Sequence, residues 1–353
     1  MYLPEEPGFS ALYRMDTDTN HRRASMEYRY TLNTLLGLQR VRAQGIELPW
    51  DLNAIYTRYI RDIDQPYVNP ANAGMSKWVA HELGRTVPDS VENRVNNYLR
   101  DSKNWDRWEA QDVGWMILGL TASPLESDLE KASHLVQFVR DWMVELSTGL
   151  FRYRARGFRR DVASFGGIVY LTYAMLRYGR VTDDQETVDV GIRACRKLLE
   201  IQGPQGQWPW MINVRRGIVA DWYQVYAVHQ DSMAALFLTE ALAVGCDEGR
   251  DAIVKGFKWV FGNNELNHNM VSPKHGMIER SLVRKGRFER ARRLARLLLS
   301  LHTGYCDPVT KRLQILPECR SYHLGWMLYV FSGRSDFDEI INHPAFNNSN
   351  EGE

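Results

Sequence analysis

Several groups of polar side chains in this 353-residue chain carry residue types able to move protons or hold anions, and the densest is the stretch from Asp221 to Met233. On a regular helix Asp231 shares a stripe with Val228, Ala235, Leu238 and Leu242, so its carboxylate faces apolar neighbours unless it looks into a wet cavity. A buried carboxylate without a partner is costly. His229 lies two positions earlier, about 200° around a helix of 3.6 residues per turn, so the two cannot share one cavity-facing stripe. Desolvation of this kind brings carboxylate and imidazole pKa values into the range of acid–base catalysis. Asp231, His229, Tyr223 and Tyr226 are therefore candidate catalytic residues. The alternative is structural: Asp231 pairs with an arginine or caps a neighbouring helix, and His229 is a core imidazole.

Further along, Arg320, Tyr322 and His323 open the last apolar segment, and Tyr322 and His323 beside an arginine suit proton abstraction next to a carboxylate. The run from Arg152 to Asp161 holds five arginines in nine residues, interleaved with aromatics. Arg152, Arg154 and Arg156 have the planar forks that hold carboxylate or phosphate, and nearby rings suit sugar faces; a solvated run of internal ion pairs is the competing reading. Trp208, Trp210 and Asp221 lie on an equivalent loop and join these as substrate-binding candidates. Asp112 precedes an apolar run, either as a cavity-facing acid or as a helix cap, and Glu265 sits in an Asn-rich loop as an alternative acid or base. The run from Arg280 to Arg296 reads as the exposed face of an amphipathic helix. No metal site is expected, because Cys306, Asp307 and His323 lack ligand spacing and the four cysteines form no CxxC pair. No cofactor is expected either.

These residues need elements to hold them. Apolar periodicity predicts helix near 25–43, 51–63, 72–84, 90–101, 110–120, 127–146, 163–178, 186–201, 225–244, 249–261, 287–301 and 320–332, and strand-like alternation is scarce. Composition, with 44% hydrophobic and 25% charged residues, suits a globular chain with a large core. A formal net charge of +1 argues against a nucleic-acid partner. Met1–Ser10 has no basic segment leading into an apolar run, and no stretch approaches the roughly 20 apolar residues of a membrane span. The expected location is therefore cytoplasmic. One domain is expected over 1–353, with a polar leader at 1–24 and a flexible tail at 345–353.

A repeat organises the middle of the chain. One helix leads into Gly149-Leu150-Phe151 and an apolar helix follows; the next leads into Gly206-Gln207-Trp208-Pro209-Trp210, and again an apolar helix follows. Phe151 and Trp208 are 57 residues apart, and 353/57 is about six. Six helical hairpins that close into a ring form an all-α, α/α toroid, with apolar inner helices, amphipathic outer helices and loops framing a central cavity. An open helical solenoid is the alternative.

Gln202-Gly203-Pro204-Gln205-Gly206-Gln207-Trp208 matches Gln-x3-Gly-x-Trp and resembles the QW repeat of terpenoid cyclases. That resemblance implies that Gln202 and Trp208 brace neighbouring helices. The acid motifs of those enzymes are absent: Asp16-Thr17-Asp18 is followed by Thr19, and Asp183-Asp184-Gln185-Glu186 by Thr187. The segment Trp222–Met233 resembles the Tyr-and-His-Gln segment of glucuronyl C5-epimerases, toroids that, like polysaccharide lyases, act on carbohydrate. This second resemblance implies a carbohydrate-active enzyme for an anionic sugar or glycoconjugate, working by epimerisation, β-elimination or hydrolysis with a small-molecule or oligosaccharide partner. The alternatives are an isoprenoid cyclase or transferase with aromatic walls and an aspartic acid, and a non-catalytic helical scaffold.

Overall fold

In the computed structural model, which describes residues 1–347, the apolar-periodic segments fold as α1 (Ala24–Ala43), α2 (Leu52–Ile60), α3 (Pro70–Glu82), α4 (Asp89–Leu99), α5 (Ala110–Thr121), α6 (Glu126–Phe138), α7 (Phe165–Thr182), α8 (Gln185–Ile201), α9 (Ala234–Leu242), α10 (Gly249–Val260), α11 (Glu289–Thr303) and α12 (Ser321–Phe331). Short α13 (Asp338–Ile341) and α14 (Pro344–Asn347) follow, and the expected tail lies, from residue 348 on, outside the described residues. The helix starts obey local chemistry. Asp51 caps α2 by accepting from the backbone of Asn53 and Ala54, Asn69 caps α3 with Pro70 in its first turn, and Ser164 and Asp184 cap α7 and α8.

Two kinds of helix alternate. In α5 every residue but Gln111 is buried, whereas α8 buries only one face, along Val188, Gly191, Ala194, Cys195 and Leu198. The helices buried most fully form an inner ring: α1 packs on α3, α3 on α5, α5 on α7, α7 on α9, α9 on α12, and α12 back on α1. That last contact closes the toroid and excludes the open solenoid. Outer helices α2, α4, α6, α8 and α10 each pack against their inner neighbour. The sixth hairpin departs from the pattern. Instead of backing α12, α11 lies on the strands Met211–Asn213 and Ile218–Asp221, where Leu297 and Leu301 cover Val162, Met211 and Ala220.

Glycines set how closely the inner helices approach. A Cβ on Gly37 would stand 2.2 Å from the Gly325 carbonyl oxygen, where α1 crosses α12, and one on Gly119 would stand 2.2 Å from the Gly74 oxygen, where α5 crosses α3. Backbone therefore meets backbone at both crossings.

The expectation of helix almost throughout is corrected at the loops, where the described residues include eleven strands of two to four residues, too short for alternation to show in the sequence. Val162–Ser164 pairs antiparallel with Met211–Asn213, with Ser164 opposite Met211, and Val225–Tyr226 pairs with Ser281–Arg284. Leu12–Arg14 pairs with Glu318–Cys319, which ties the N-terminal segment to the start of α12. These strands run into α7, the segment leading to α9, and α12. They fix the N-terminal ends of three inner helices around one opening. No helix among the described residues is long and apolar enough to cross a membrane.

Candidate active site

The inner ring encloses a cavity of about 170 Å³ lined by Arg29, Tyr30 and Asn33 of α1, Gln111 and Trp115 of α5, Ser164, Gly166, Gly167 and Tyr170 at the start of α7, Trp210, His229, Met233, and Tyr322 of α12. That volume falls below the roughly 300–1,000 Å³ of drug-sized ligand sites and suits a small ligand. Gln111, Ser164, Gly166, Gly167 and Tyr322 lie at the starts of α5, α7 and α12, whose dipoles place partial positive charge there. Arg29 adds a full one: its guanidinium stands 5.7 Å from the Tyr30 ring and 6.0 Å from that of Trp115, with no carboxylate among the described residues within 4.0 Å. No Asp or Glu lines the cavity.

Three buried polar atoms on the lining residues have no hydrogen-bond partner among the described residues: Asn33 Oδ1, Trp115 Nε1 and His229 Nδ1. Unmet groups of this kind cost about 1–3 kcal/mol each.

His229 opens a single wider turn, His229–Met233, with π-helical hydrogen bonding, inserted between the strand Val225–Tyr226 and α9. Such turns recur at functional sites. The His229 ring is held between Phe165 and Tyr226, with both ring centroids at 5.0 Å, and Trp208 stacks behind Phe165 at 5.1 Å. A Cβ on Gly166 would lie 4.0 Å from His229 Nε2, so the glycine leaves that nitrogen open to the cavity. Burial lowers the His229 pKa to about 3, with repulsion from His323 and Arg280 adding to the effect. The imidazole is therefore neutral at pH 7, with Nε2 on the cavity side.

Asp231 points elsewhere, as the helical offset of the two residues requires. It is fully buried, and its partner is neither an arginine nor a helix end: His323 Nε2 lies 2.9 Å from Oδ1 and 2.8 Å from Oδ2. Ser232 Oγ donates to the same carboxylate. A carboxylate on one ring nitrogen fixes tautomer and ring orientation, and His323 itself is not among the residues that line the cavity. Tyr322 precedes His323 and lines the cavity, its ring 4.5 Å from that of Tyr30. Burial raises the pKa values of Tyr322 and Tyr226, so both are neutral hydroxyls. The structure thus brings together His229, Asp231, His323, Tyr226, Tyr322 and Trp210.

Other sequence candidates lie apart. Arg152 pairs with Glu145 at 2.8 Å, Arg154 pairs with Glu109 at 2.7 Å, and Arg156 stacks over Trp142; none lines the cavity, because local carboxylates and a ring hold all three outside. Asp112 caps α5 and reaches the Ala71 backbone of α3 at 3.3 Å, and burial raises its pKa to about 6. Glu265 accepts from Tyr223 at 3.0 Å and from Trp259 at 2.8 Å, which places Tyr223 in the wall behind the site. Asp221 lies under Arg293 and Arg296, each at 3.3 Å, and Arg320 lies 3.5 Å from Glu318. Gln202 donates to the Ala252 carbonyl of α10, and the Trp208 backbone donates to Gln230, so both residues brace neighbouring elements. Sequence reasoning missed Arg29, Asn33 and Trp115. Arg29 and Asn33 are four apart on one face of α1, and that spacing was the available signal.

No protein-family model matches the chain, and no curated protein sequence matches it. Solved structures do resemble it. A cellobiose 2-epimerase from Bacillus thermoamylovorans superposes with a TM-score of 0.63 at 10% identity, over 94% of this chain and 93% of that one. A sugar epimerase from a ruminal bacterium gives 0.61 at 11%, over 95% and 94%. An inactive variant of an α-1,6-mannanase of Salegentibacter, in complex with α-1,6-mannotetrose, gives 0.54 at 13%, over 93% of each chain. At these identities the likeness is one of fold: this chain is similar to α/α toroids along nearly its whole length.

Proposed function

We propose that the chain is a carbohydrate-active enzyme, and more narrowly a sugar epimerase that moves a proton on and off a carbon next to a carbonyl. The observation that carries this reading is His229, held neutral at a cavity without a carboxylate in its lining, with a second imidazole, His323, held by Asp231 behind that lining. Glycoside hydrolysis ordinarily needs two carboxylic groups flanking the bond to be cut. Inversion at a carbon next to a carbonyl needs a general base and a general acid, roles that imidazoles can fill. The sugar and cellobiose epimerases among the similar folds agree with this choice.

In the proposed reaction one imidazole takes the proton from the carbon α to an open-chain sugar carbonyl. The C–H electron pair becomes the carbon–carbon π bond, and the carbonyl π pair moves to oxygen, giving an enediolate. Arg29 and the helix N-termini face that developing negative charge. The second imidazole returns a proton to the opposite face, the π pair re-forms the C–H bond, and the carbonyl is restored. Protons then redistribute between the two rings through water. Tyr226, Tyr322 and Trp210 hold the sugar by its faces and hydroxyls.

A second reading is favoured by Arg29 itself: a guanidinium without a carboxylate partner would equally hold a uronate, with the proton removed next to its carboxylate. The experiment is turnover in deuterium oxide with neutral reducing sugars and, separately, uronate oligosaccharides. Epimer formation with one deuterium at the inverted carbon is expected, and it should be lost in His229→Gln. Hydrolysed or unsaturated products without exchange would overturn the proposal.

A further inference from the structure

A second cavity, of about 450 Å³, lies between α11 and the strands Ser281–Arg284 and Leu313–Leu316 and shares no lining residue with the first. Its floor is electrically balanced. Arg284, Arg293 and Arg296 meet Asp221, Asp307 and Glu289: Arg293 and Arg296 each lie 3.3 Å from Asp221, Arg284 pairs with Asp307, and Arg296 pairs with Glu289. Three guanidiniums against three carboxylates leave no surplus, since burial raises Asp221 only to about 6 and it stays ionised at pH 7.

The rim is different. Lys285, Arg287, Arg292 and Arg312 all border the cavity, and none has a carboxylate among the described residues within 4.0 Å. Four uncompensated cations thus converge in a chain whose formal net charge is only +1. The fold holds them there. Arg284 pairs with Leu313 across the strands, and the Lys285 backbone donates to the Arg312 carbonyl at 3.0 Å, which brings residues 285 and 312 to one edge. Gly286, at φ 151°, lets the Arg292 guanidinium lie against the backbone, since a Cβ there would come within 3.2 Å of Arg292 Nη1. Cations gathered this closely repel one another unless an anion sits among them.

We propose that this cavity binds a small molecule carrying two adjacent phosphate groups. Arginine forks take phosphate oxygens two at a time, and four cations above a neutral floor match the charge of a diphosphate better than that of one phosphate. The site is independent of the catalytic reading, because it is tested by binding and not by turnover.

Calorimetric titration of the full chain with pyrophosphate, with inorganic phosphate and with chloride at matched ionic strength tests it. Pyrophosphate should bind one to one and more tightly than phosphate, and the double variant Arg292→Gln, Arg312→Gln should weaken it by about tenfold or more. Both side chains are exposed at the rim, so the ligand-free variant should keep its melting temperature. Lys285→Gln with Arg287→Gln is the second variant, expected to act in the same direction. No saturable heat at millimolar pyrophosphate, a response reproduced by chloride, or unchanged binding in both variants would overturn the proposal.

Discussion

The imidazole of His323 and the carboxylate of Asp231 lie 92 positions apart in the chain, yet Nε2 approaches the two carboxylate oxygens to 2.9 and 2.8 Å with both residues buried. The contact joins α12 to the π-helical turn ahead of α9, two elements that are neighbours in the inner ring. One face of the turn carries His229 to the cavity, and the other holds the second imidazole in register. A single irregular turn therefore positions both proposed acid–base groups.

Asp231→Asn keeps the shape and removes the charge that orients His323. If Asp231 acts through His323, turnover should fall by about 10- to 100-fold. The ring retains a weaker acceptor, so unfolding free energy should drop by only about 1–3 kcal/mol. Steady-state kinetics beside urea denaturation separates the two effects. An unfolded variant, or one folded with unchanged kcat, would remove Asp231 from the mechanism.

The low pKa of His229 has a consequence for stability. Its value near 3 in the folded chain lies below the ordinary 6.5, so between those limits the unfolded chain binds a proton that the folded chain refuses. Stability contributed by neutral His229 is present above about pH 6.5 and is lost as pH falls toward 3. His81 shifts in the same direction through burial and contributes part of the slope. His229→Gln should flatten the dependence by about 1–3 kcal/mol between roughly pH 7 and pH 4.5. Urea midpoints at the two pH values check it, and parallel curves for parent and variant would contradict it.

The ring was legible in the sequence because inner helices such as α5 and α7 are apolar on nearly every side and outer ones such as α8 on one face only. Of the stretch Asp221–Met233, His229 and Met233 line the cavity. The two-residue offset of His229 and Asp231 explains why they diverge, but nothing local indicated that the partner of Asp231 is His323, because that contact exists only once α12 closes the ring. The arginines near 152 misled for a related reason: carboxylates as far away as Glu109 neutralise them only after folding. Trp115 hid inside an apolar run, where a core aromatic and a cavity aromatic look alike.

Close helix crossings make a sharp stability prediction. A Cβ at Gly119 would stand 2.2 Å from the Gly74 oxygen and 2.9 Å from its carbonyl carbon, and backbone cannot rotate aside as a side chain can. Gly119→Ala should cost at least about 1–3 kcal/mol as α3 and α5 separate. At Gly166 the new methyl meets the flexible end of Met233 at 3.0 Å, so Gly166→Ala should fold normally and impair turnover instead. Thermal melts and kinetics on the pair test the contrast, which fails if both variants melt alike.

Arg29 offers the clearest division between binding and catalysis. Its guanidinium faces the cavity without a carboxylate partner within 4.0 Å among the described residues, so removing it breaks no ion pair. Arg29→Met should therefore leave the melting temperature unchanged or slightly raised. If the charge meets an oxyanion that forms only during reaction, kcat should fall by about 10²–10³ while KM changes little. If it holds a carboxylate already present on the substrate, KM should rise and kcat should survive, because that interaction exists equally before and during the chemical step. Comparing a neutral reducing sugar with a uronate on this one variant decides which negative charge the cavity is built to meet. Unchanged kinetics with both substrates would remove Arg29 from the proposed mechanism.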